Sequence, residues 1–335
     1  MKDELILLSH GNGGEGTKKL ITEIILKHLG NELLDQLLDS TIFNIESNKI
    51  AFTTDSFVVS PIFFNGGDIG SLSVYGTCND LGVMGAIPLY LSLSLIIEEG
   101  LKIEELEKII VSIKEAAKKA EVKIVTGDTK VVERGKGDKI FINTSGIGVL
   151  NEKRDWTKRK IEPEDLIIIS GTIGDHGTAI MLERLGVEVS KDVRSDLSSI
   201  HHISIPLLEK FSGIKFMRDP TRGGVATVLN EVASSYNVEI EIYEDALPIK
   251  PWVKEASELL GIDPLYSANE GKILLIASKD EAEKIVEFLH SFELGKDASI
   301  IGKVKGAGDR VYLKTSIGTY RILDSLKRDI LPRIC

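Results

Sequence analysis

Residues 89–126 read LYLSLSLIIEEGLKIEELEKIIVSIKEAAKKAEVKIVT. The spacing of the hydrophobic residues changes along this stretch. The first seven residues alternate leucine with tyrosine or serine, which is typical of a β-strand with one buried face. Over residues 103–120 the apolar side chains recur every three or four positions, which predicts an amphipathic α-helix. Residues 122–126 return to a strand pattern. The stretch therefore predicts a strand–helix–strand unit and a mixed α and β fold.

The same alternation of strand and helix patterns continues on both sides of this unit, with one interruption. Near residues 151–163 the chain becomes polar and charged, so we predict a domain boundary there. The predicted fold class is α/β (α+β) with two domains. The predicted parts are a glycine-rich N-terminal arm and helix over 1–40, an N-terminal domain over 41–152, a C-terminal domain over 153–324, and a flexible tail over 325–335.

The composition is that of a globular protein and disfavours several classes of function. Hydrophobic residues make up 42% and charged residues 27% of the chain, which is ordinary for a soluble protein. A net charge of −10 argues against nucleic acid as a partner. Glycine, proline and serine interrupt the apolar stretch 81–97, so we expect no membrane association. Two cysteines and an acidic start favour a reducing, cytoplasmic location.

The segment SHGNGGEGT at residues 9–17 has the composition of an anion-binding loop. Four glycines in six residues free the backbone to wrap a phosphate with its amide groups. We therefore take His10, Asn12, Gly13 and Gly14 as candidate nucleotide-binding residues. A loose N-terminal arm is the alternative, and an arm that closes over a nucleotide would combine both interpretations.

Four aspartates adjoin strand-like segments and lie close to predicted helices: Asp55, Asp80, Asp128 and Asp219. Asp55 and Asp128 are predicted to stand at the carboxyl ends of strands, where open α/β sheets place chemistry. Asp80 lies in an apolar, glycine-rich context, where a charge is costly unless it is paired or binds a metal. Each aspartate alone is more simply a helix cap or a turn residue. Together they predict a site in which Mg²⁺ bridges carboxylates and phosphates.

Three weaker segments supply single candidates. The loop GTIGDHG at 171–177 contains Asp175 and follows a predicted strand, and its alternative is a tight turn. Glu270 in Asn-Glu-Gly is a candidate base, and its alternative is a solvated loop carboxylate. Lys130 in Gly-Asp-Thr-Lys is a candidate cation near developing charge, and its alternative is an exposed lysine in a charged loop.

Cys335 is the last residue of the sequence and carries a thiol on the short tail LPRIC. A thiol in this place is able to collect a group from a partner and return it to a site on its own protein. The alternative is a frayed end with a free thiol. The candidate ATP site in the rest of the chain favours the first interpretation.

Taken together, these segments resemble the HypE family of hydrogenase maturation factors, within the superfamily of PurM-like aminoimidazole ribonucleotide synthetases and selenophosphate synthetases. The resemblance covers nearly the whole chain. It is carried by residues 10–14, 54–56, 61, 66–85, 127–130, 174–177, 218–224, 269–271 and 332–335. Selenophosphate synthetases differ because they place a reactive cysteine or selenocysteine near the N-terminus, where this chain has His10.

The resemblance implies a PurM-like fold whose N-terminal domains pair their sheets in a homodimer, as a barrel. It also implies ATP and Mg²⁺ as cofactors, with ATP lying across the dimer interface. The nucleotide-binding residues that it implies are His10, Asn12, Gly13, Gly14, Asp55, Asp80, Thr129, Asp175 and Arg222. The implied metal-binding residues are Asp55, Asp80, Asp128 and Asp219, without an assignment of each carboxylate to a particular ion.

The implied reaction is an ATP-dependent dehydration of an S-carbamoyl group on Cys335 to a thiocyanate. In the family, the carbamoyltransferase HypF loads the thiol, and the cyanide passes to iron held by a HypC–HypD complex during maturation of a nickel–iron hydrogenase. Cys335, Glu270 and Lys130 are then the expected catalytic residues, with Glu270 as base and Lys130 as cation. An extended tail from Asp324 would reach roughly 36 Å, so distance presents no obstacle.

Two alternatives stay open on the sequence alone. The chain could be another ATP-using enzyme of the superfamily, such as a selenophosphate synthetase or a small-molecule kinase, which would not need Cys335. It could instead be a non-catalytic scaffold that carries a group on Cys335 and docks partners. Loss of one water from the carbamoylated tail on addition of Mg-ATP separates the dehydratase from the scaffold.

Overall fold

The computed structural model describes residues 4–10, 15–36, 45, 49–150, 159–187, 189–325 and 333–335. The predicted arm residues Asn12, Gly13 and Gly14, and most of the predicted tail, lie outside this part of the chain. No helix among the described residues is both long enough and apolar enough to cross a membrane.

The first half is built on a four-stranded sheet with the strand order β1-β6-β4-β5. Its strands are β1 (Ile50–Phe57), β4 (Ala86–Glu98), β5 (Lys123–Val132) and β6 (Ile140–Leu150). Strands β4 and β5 are parallel, whereas β6 runs antiparallel to both β1 and β4. The short strands β2 (Phe63–Phe64) and β3 (Gly67–Asp68) form a separate pair. Within one chain this sheet is open at β1 and β5.

Helices cover one face of this sheet. They are α1 (Glu15–Leu20) and α2 (Lys27–Leu29), joined by the π-helical segment Ile21–Leu26, then α3 (Ile69–Val83) and α4 (Ile103–Lys119). Glutamates in the first turn of α4 and lysines in its last turn complement the helix dipole. The apolar stripe of α4 is fully buried, as the sequence period predicted. The other face of the sheet leaves Phe52 and Ile96 exposed.

The second half is built on a seven-stranded sheet with the order β13-β12-β9-β11-β7-β10-β8. Its strands are β7 (Leu166–Ile169), β8 (Ile214–Arg218), β9 (Val238–Tyr243), β10 (Leu274–Ala277), β11 (Ser299–Ala307), β12 (Val311–Lys314) and β13 (Tyr320–Ile322). The helices of this half are α5 (Asp175–Arg184), α6 (His201–Lys210), α7 (Gly224–Tyr236), α8 (Pro251–Leu260) and α9 (Lys279–Leu289). The mixed α and β class with two domains is confirmed, while the predicted residue boundaries of the four parts stay a prediction.

Two local predictions were wrong in the same way. Asp55 and Asp128 were expected to follow their strands, but each lies inside one. Asp55 pairs with Thr144 across β1 and β6, and Asp128 pairs with Ser94 across β5 and β4. The ladder continues because each aspartate supplies its backbone groups to the neighbouring strand and directs only its side chain out of the sheet.

A buried amide helps to tie the two halves together. Asn79, in the last turns of α3, donates to the carbonyl oxygens of Ser198 at 3.0 Å and Glu270 at 3.1 Å. Its side-chain oxygen accepts a hydrogen bond from Ile200 N at 2.9 Å. Asn79 is fully buried, so breaking these bonds would leave unpaired polar groups in the core. The contact fixes α3, and with it Asp80, against the segment that carries Glu270.

Candidate active site

A cavity of about 170 Å³ lies where the two halves meet. Its walls include Asp55, Asp80, Asp219, Arg222, Glu270 and Cys335. All six were named from the sequence as catalytic, nucleotide-binding or metal-binding candidates. The folded chain therefore brings together residues that are up to 280 positions apart, from Asp55 to Cys335 (335 − 55 = 280).

Each carboxyl group comes from a different element. Asp55 projects from β1 on the face that α3 covers, and Asp80 closes the same wall from the C-terminal turn of α3. Thr53 Oγ1 donates to Asp80 Oδ2 at 2.8 Å. Asp219 follows β8 directly, before α7 begins. Asp55 and Asp80 thus approach the cavity from a strand and a helix, whereas Asp219 and Glu270 approach it from the loops that follow β8 and precede β10.

Asp196, which the sequence analysis did not single out, orients the segment that carries Glu270. Its carboxylate accepts hydrogen bonds from the backbone nitrogens of Glu270 at 3.1 Å and Gly271 at 3.3 Å. Lys272 contacts the same carboxylate at 3.3 Å. No sequence pattern pointed to Asp196, because its partners lie more than seventy residues away in the chain.

Burial and mutual repulsion raise the pKa values of these carboxyl groups. Burial, together with the neighbouring Asp80, raises the pKa of Asp55 to about 6. Burial, again with Asp80 nearby, raises the pKa of Asp219 to about 7. Glu270 is 2% exposed, and one of its carboxyl oxygens has no hydrogen-bond partner. Burial first, and then the charge of Asp219, raise the pKa of Glu270 well above its ordinary value.

We expect the replacement Asp219→Asn to stabilise the nucleotide-free protein at pH 8. The raised pKa means that the folded state binds this proton more tightly than the unfolded state, so stability falls as pH rises from about 4 through about 7. Asparagine removes that penalty, and the free energy of unfolding should rise by up to about 4 kcal/mol at pH 8. Urea titrations at pH 8 and pH 4 measure it, and the gain should vanish at pH 4. The exposed control Asp309→Asn should change neither value, and an equal gain at both pH values would contradict the assignment.

The cysteine thiol lies inside this cavity. Arg222 Nη2 donates to Cys335 Sγ at 3.6 Å. Burial, and then the nearby Glu270 carboxyl, raise the pKa of the Cys335 thiol to about 12, although Arg222 opposes that shift. In this docked position Cys335 is therefore a neutral thiol. The residues 333–335 of the predicted flexible tail are packed into the protein, while 326–332 lie outside the described residues.

Other predicted site residues lie elsewhere in the chain. Asp128, Thr129 and Lys130 border a separate cavity of about 210 Å³ beside β5 and the N-terminal helices, where Lys130 pairs with Asp128 at 2.9 Å. Asp175 is fully buried and accepts hydrogen bonds from Thr172 at 2.6 Å and from Lys250 at 2.7 Å.

His10, in the predicted N-terminal arm, is buried, and Leu7 N donates to its Nδ1 at 3.1 Å. Like Asp175, it does not line the cavity that holds Cys335. The roles predicted for both residues stay predictions.

Among the residues that the structure describes, no group of three histidine, cysteine, aspartate or glutamate side chains is close enough to hold a metal ion alone. The donor set nevertheless suits Mg²⁺, which commonly binds one or two protein carboxylates and completes its shell with phosphates and water. Asp55, Asp80 and Asp219 repel one another and face a shared space, so a cation would relieve the repulsion.

Comparisons with known proteins agree with this geometry. Residues 38–150 match the AIR synthase related protein N-terminal domain, and residues 162–314 match the corresponding C-terminal domain. Carbamoyl dehydratase HypE of Bradyrhizobium diazoefficiens is 45% identical over 98% of this chain and 95% of its own length.

Two solved structures are similar over most of the chain. A crystal structure of the hydrogenase maturation protein HypE in complex with ATP has a TM-score of 0.93 and 41% identity, covering 98% of this chain and 99% of that one. A crystal structure of a HypE–HypF complex has a TM-score of 0.79 and 48% identity, covering 92% and 99%. With both domains and the cysteine cavity in place, the chain belongs to the HypE family of carbamoyl dehydratases.

Proposed function

We propose that the chain dehydrates an S-carbamoyl group on its own Cys335 to a thiocyanate at the expense of ATP, and so supplies cyanide for the iron of a nickel–iron hydrogenase. The observation that carries the proposal is the docked thiol of Cys335, which shares one cavity with Glu270, Arg222 and three aspartates. A carbamoyl group on this sulfur would stand among the groups that the reaction needs.

The chemistry requires the carbamoyl oxygen to become a leaving group. That oxygen attacks the γ-phosphorus of ATP, ADP departs, and the nitrogen loses one proton. Loss of the second N–H proton then expels phosphate and leaves S–C≡N. In this proposal Arg222, which contacts Sγ, would stabilise negative charge near the oxygen, and Glu270, which lines the same cavity, would receive a proton from the nitrogen.

The nucleotide has room beside the thiol. A cleft of about 600 Å³ shares Asp80, Asp219 and Arg222 with the cysteine cavity. A triphosphate in this cleft would reach the carboxylates only with cations to offset the negative charge. We infer that Asp55, Asp80 and Asp219 hold Mg²⁺, which neutralises charge on the phosphates when bound. When bound, such a cation would lower the pKa of Glu270 and so favour its role as a base.

Lys130 and Asp128 cannot join this cavity within one chain. Asp55 shares its face of the sheet with Thr53, which contacts α3, whereas Asp128 pairs with Ser94 on the open face. The strand order also puts β1 and β5 at opposite edges, three strand spacings or about 14 Å apart. We infer a homodimer in which the open faces pair, so that Asp128 and Lys130 of one chain complete the site of the other.

The same proposal includes the partners of the reaction. HypF would load the carbamoyl group, and a HypC–HypD complex would accept the cyanide. Loading requires Cys335 to leave the cavity, because its docked thiol is largely buried and neutral. Two free cysteines fit a reducing, cytoplasmic setting, and the acidic chain gives no reason to expect nucleic acid or membrane partners.

Mass spectrometry of the tail peptide tests the proposal. We expect the S-carbamoylated protein to lose about 18 Da from the peptide that contains Cys335 when Mg-ATP is added, because one water is removed in forming the thiocyanate. A non-hydrolysable ATP analogue is the control and should leave the mass unchanged. Retention of the carbamoyl mass with ATP, while HypF binding is intact, would favour the scaffold alternative instead.

A further inference from the structure

Another cavity, of about 360 Å³, adjoins the loop GTIGDHG at residues 171–177. Gly171 and Thr172 of this loop line it, together with Asp196, whose carboxylate binds the main chain of Glu270. None of the described residues lines both this cavity and either the cysteine cavity or the neighbouring nucleotide cleft. The volume is within the range of about 300–1,000 Å³ that is usual for small-molecule sites.

The buried charges in the wall of this cavity are already matched in pairs. Lys250 Nζ lies 2.7 Å from Asp175 Oδ2, and Lys272 Nζ lies 3.3 Å from Asp196 Oδ2. Asp175 is fully buried, and the side chains of Asp196 and Lys272 are 2% and 8% exposed. An additional ammonium or carboxylate among these buried pairs would stay unmatched and costly. We therefore expect this end of the cavity to take a neutral polar group.

One oxygen of these pairs lacks a partner. Asp175 Oδ2 accepts hydrogen bonds from Thr172 Oγ1 at 2.6 Å and Lys250 Nζ at 2.7 Å, whereas Oδ1 has no hydrogen-bond partner in the described part of the chain. A buried carboxylate oxygen without a donor costs free energy. Burial, and then the charge of Asp196, raise the pKa of Asp175, while Lys272 and Lys250 oppose the rise. A neutral N–H group is the partner that Oδ1 lacks.

The rim of the cavity carries a cation that is free to bind a ligand. Arg194 is exposed, and its guanidinium forms no ion pair or hydrogen bond with any residue that the structure describes. Lys296, also on the rim, is paired with Glu293. A guanidinium binds carboxylates and phosphates well, but exposed Asp297 lines the same rim and would repel a doubly charged phosphate. A carboxylate is therefore the better match.

We propose that this cavity binds a small molecule that carries a primary amide at one end and a carboxylate at the other. The amide N–H would donate to Asp175 Oδ1, and the carboxylate would pair with Arg194. We call the cavity the amide pocket and define it by Gly171, Thr172, Asp175, Arg194 and Asp196. The proposal goes beyond the dehydratase function, because it assigns a ligand to a cavity that takes no part in that reaction.

Ligand-observed NMR titrations of the full-length, nucleotide-free protein test the amide pocket. They are run at pH 8, which favours the carboxylate form of Asp175. Succinamate carries both groups, monomethyl succinate has a methoxy group in place of the amide nitrogen, and propanamide lacks the carboxylate. We expect succinamate to bind with a dissociation constant of about 1 mM, which is ordinary for a ligand of about eight non-hydrogen atoms.

The other two probes should bind more weakly, each for its own reason. Monomethyl succinate should lose at least about tenfold, because it leaves Asp175 Oδ1 without a donor. Propanamide should lose about fivefold, because it cannot pair with exposed Arg194. No binding of succinamate would leave water as the occupant of the cavity, and equal binding of succinamate and monomethyl succinate would remove the amide from recognition. Either result would overturn the proposal.

The variant Asp175→Asn reverses the polarity of the unpartnered position. Thr172 and Lys250 both donate to Oδ2, so the asparagine oxygen should stay with them and its NH₂ group should replace Oδ1. The folded variant should therefore lose the tenfold preference for succinamate over monomethyl succinate. An unchanged preference would contradict the assignment of the amide to Asp175 and overturn the proposal.

The variant Arg194→Ala tests the other end without disturbing the core, because Arg194 is exposed. It should weaken succinamate binding about fivefold and leave propanamide binding unchanged. Lys191→Ala is the matched control, since it removes the same charge from an exposed neighbour outside the cavity wall. Unchanged succinamate binding in Arg194→Ala, or an equal loss in both variants, would overturn the proposal. None of these titrations uses nucleotide or a carbamoyl group, so their failure would leave the dehydratase proposal intact.

Discussion

The replacement Glu270→Gln is expected to lower the rate of thiocyanate formation by roughly a thousandfold, which is within the range that general bases contribute. Glu270 shares its cavity with Cys335, and one of its carboxyl oxygens has no partner in the folded protein. Glutamine has the shape of the protonated acid but cannot accept a proton from the carbamoyl nitrogen. Single-turnover mass spectrometry of the carbamoylated tail measures the rate directly.

The fold and the nucleotide site should survive the same replacement. Burial and the neighbouring carboxylates raise the pKa of Glu270, so the folded protein already holds this side chain as a neutral acid. A neutral amide should leave the melting temperature unchanged or raise it, and ATP affinity should stay within about threefold. The exposed control Glu283→Gln should alter neither rate nor stability. Wild-type turnover in the Glu270→Gln variant would remove Glu270 from the mechanism.

Much of the site could be predicted because its chemistry is local in the sequence. Asp219 and Glu270 each stand in a short polar segment next to a strand, Asp55 stands in β1 near its end, and Cys335 stands at the end of a short tail. Such segments can be recognised in the sequence from their residue types and spacing. These residues converge on one cavity because both domains present them at the shared boundary.

The groups that hold these residues in place could not be predicted, because their partners are distant in the chain. Asn79 adjoins the predicted site residue Asp80 in sequence, but its three bonds reach the main chain of residues 198, 200 and 270. Asp196 and Arg184 have no motif at all. Each binds main-chain groups, and any sequence can supply those, so only the folded arrangement reveals the contact.

Lys130 is a different case. Its residue type suggested a catalytic role, but the sequence did not show where its strand lies in the sheet. The sequence grouped Lys130 with Cys335 as catalytic partners. The strand order separates them by the width of a sheet, and the alternation along β5 turns Asp128 and Lys130 to the open face, away from α3. A residue that faces away from its own cavity can still act if a second copy covers that face. The open face carries exposed Phe52 and Ile96, which a partner would bury.

Mixing two inactive variants is therefore expected to restore activity. Cys335→Ser removes the thiol, and Lys130→Ala removes the cation, so each variant alone should form almost no thiocyanate. In a mixed dimer, the thiol of the Lys130→Ala chain would meet the intact Lys130 of the Cys335→Ser chain. If chains pair at random, half of the dimers are mixed and each has one competent site of two, so activity should recover to about a quarter of wild type.

The control mixture combines Cys335→Ser with Glu270→Gln. Glu270 and Cys335 share a cavity within one chain, so neither site of that mixed dimer joins an intact glutamate to a thiol, and activity should stay absent. Recovery in the first mixture but not in the second would show that the lysine acts across the interface while the glutamate acts within the chain. Recovery in neither mixture, with mixed dimers verified by native mass spectrometry, would place Lys130 outside the partner's site. Face-to-face packing of the sheets would carry Lys130 to the β1 edge of the partner chain while leaving Glu270 beside its own thiol, so the two mixtures should differ.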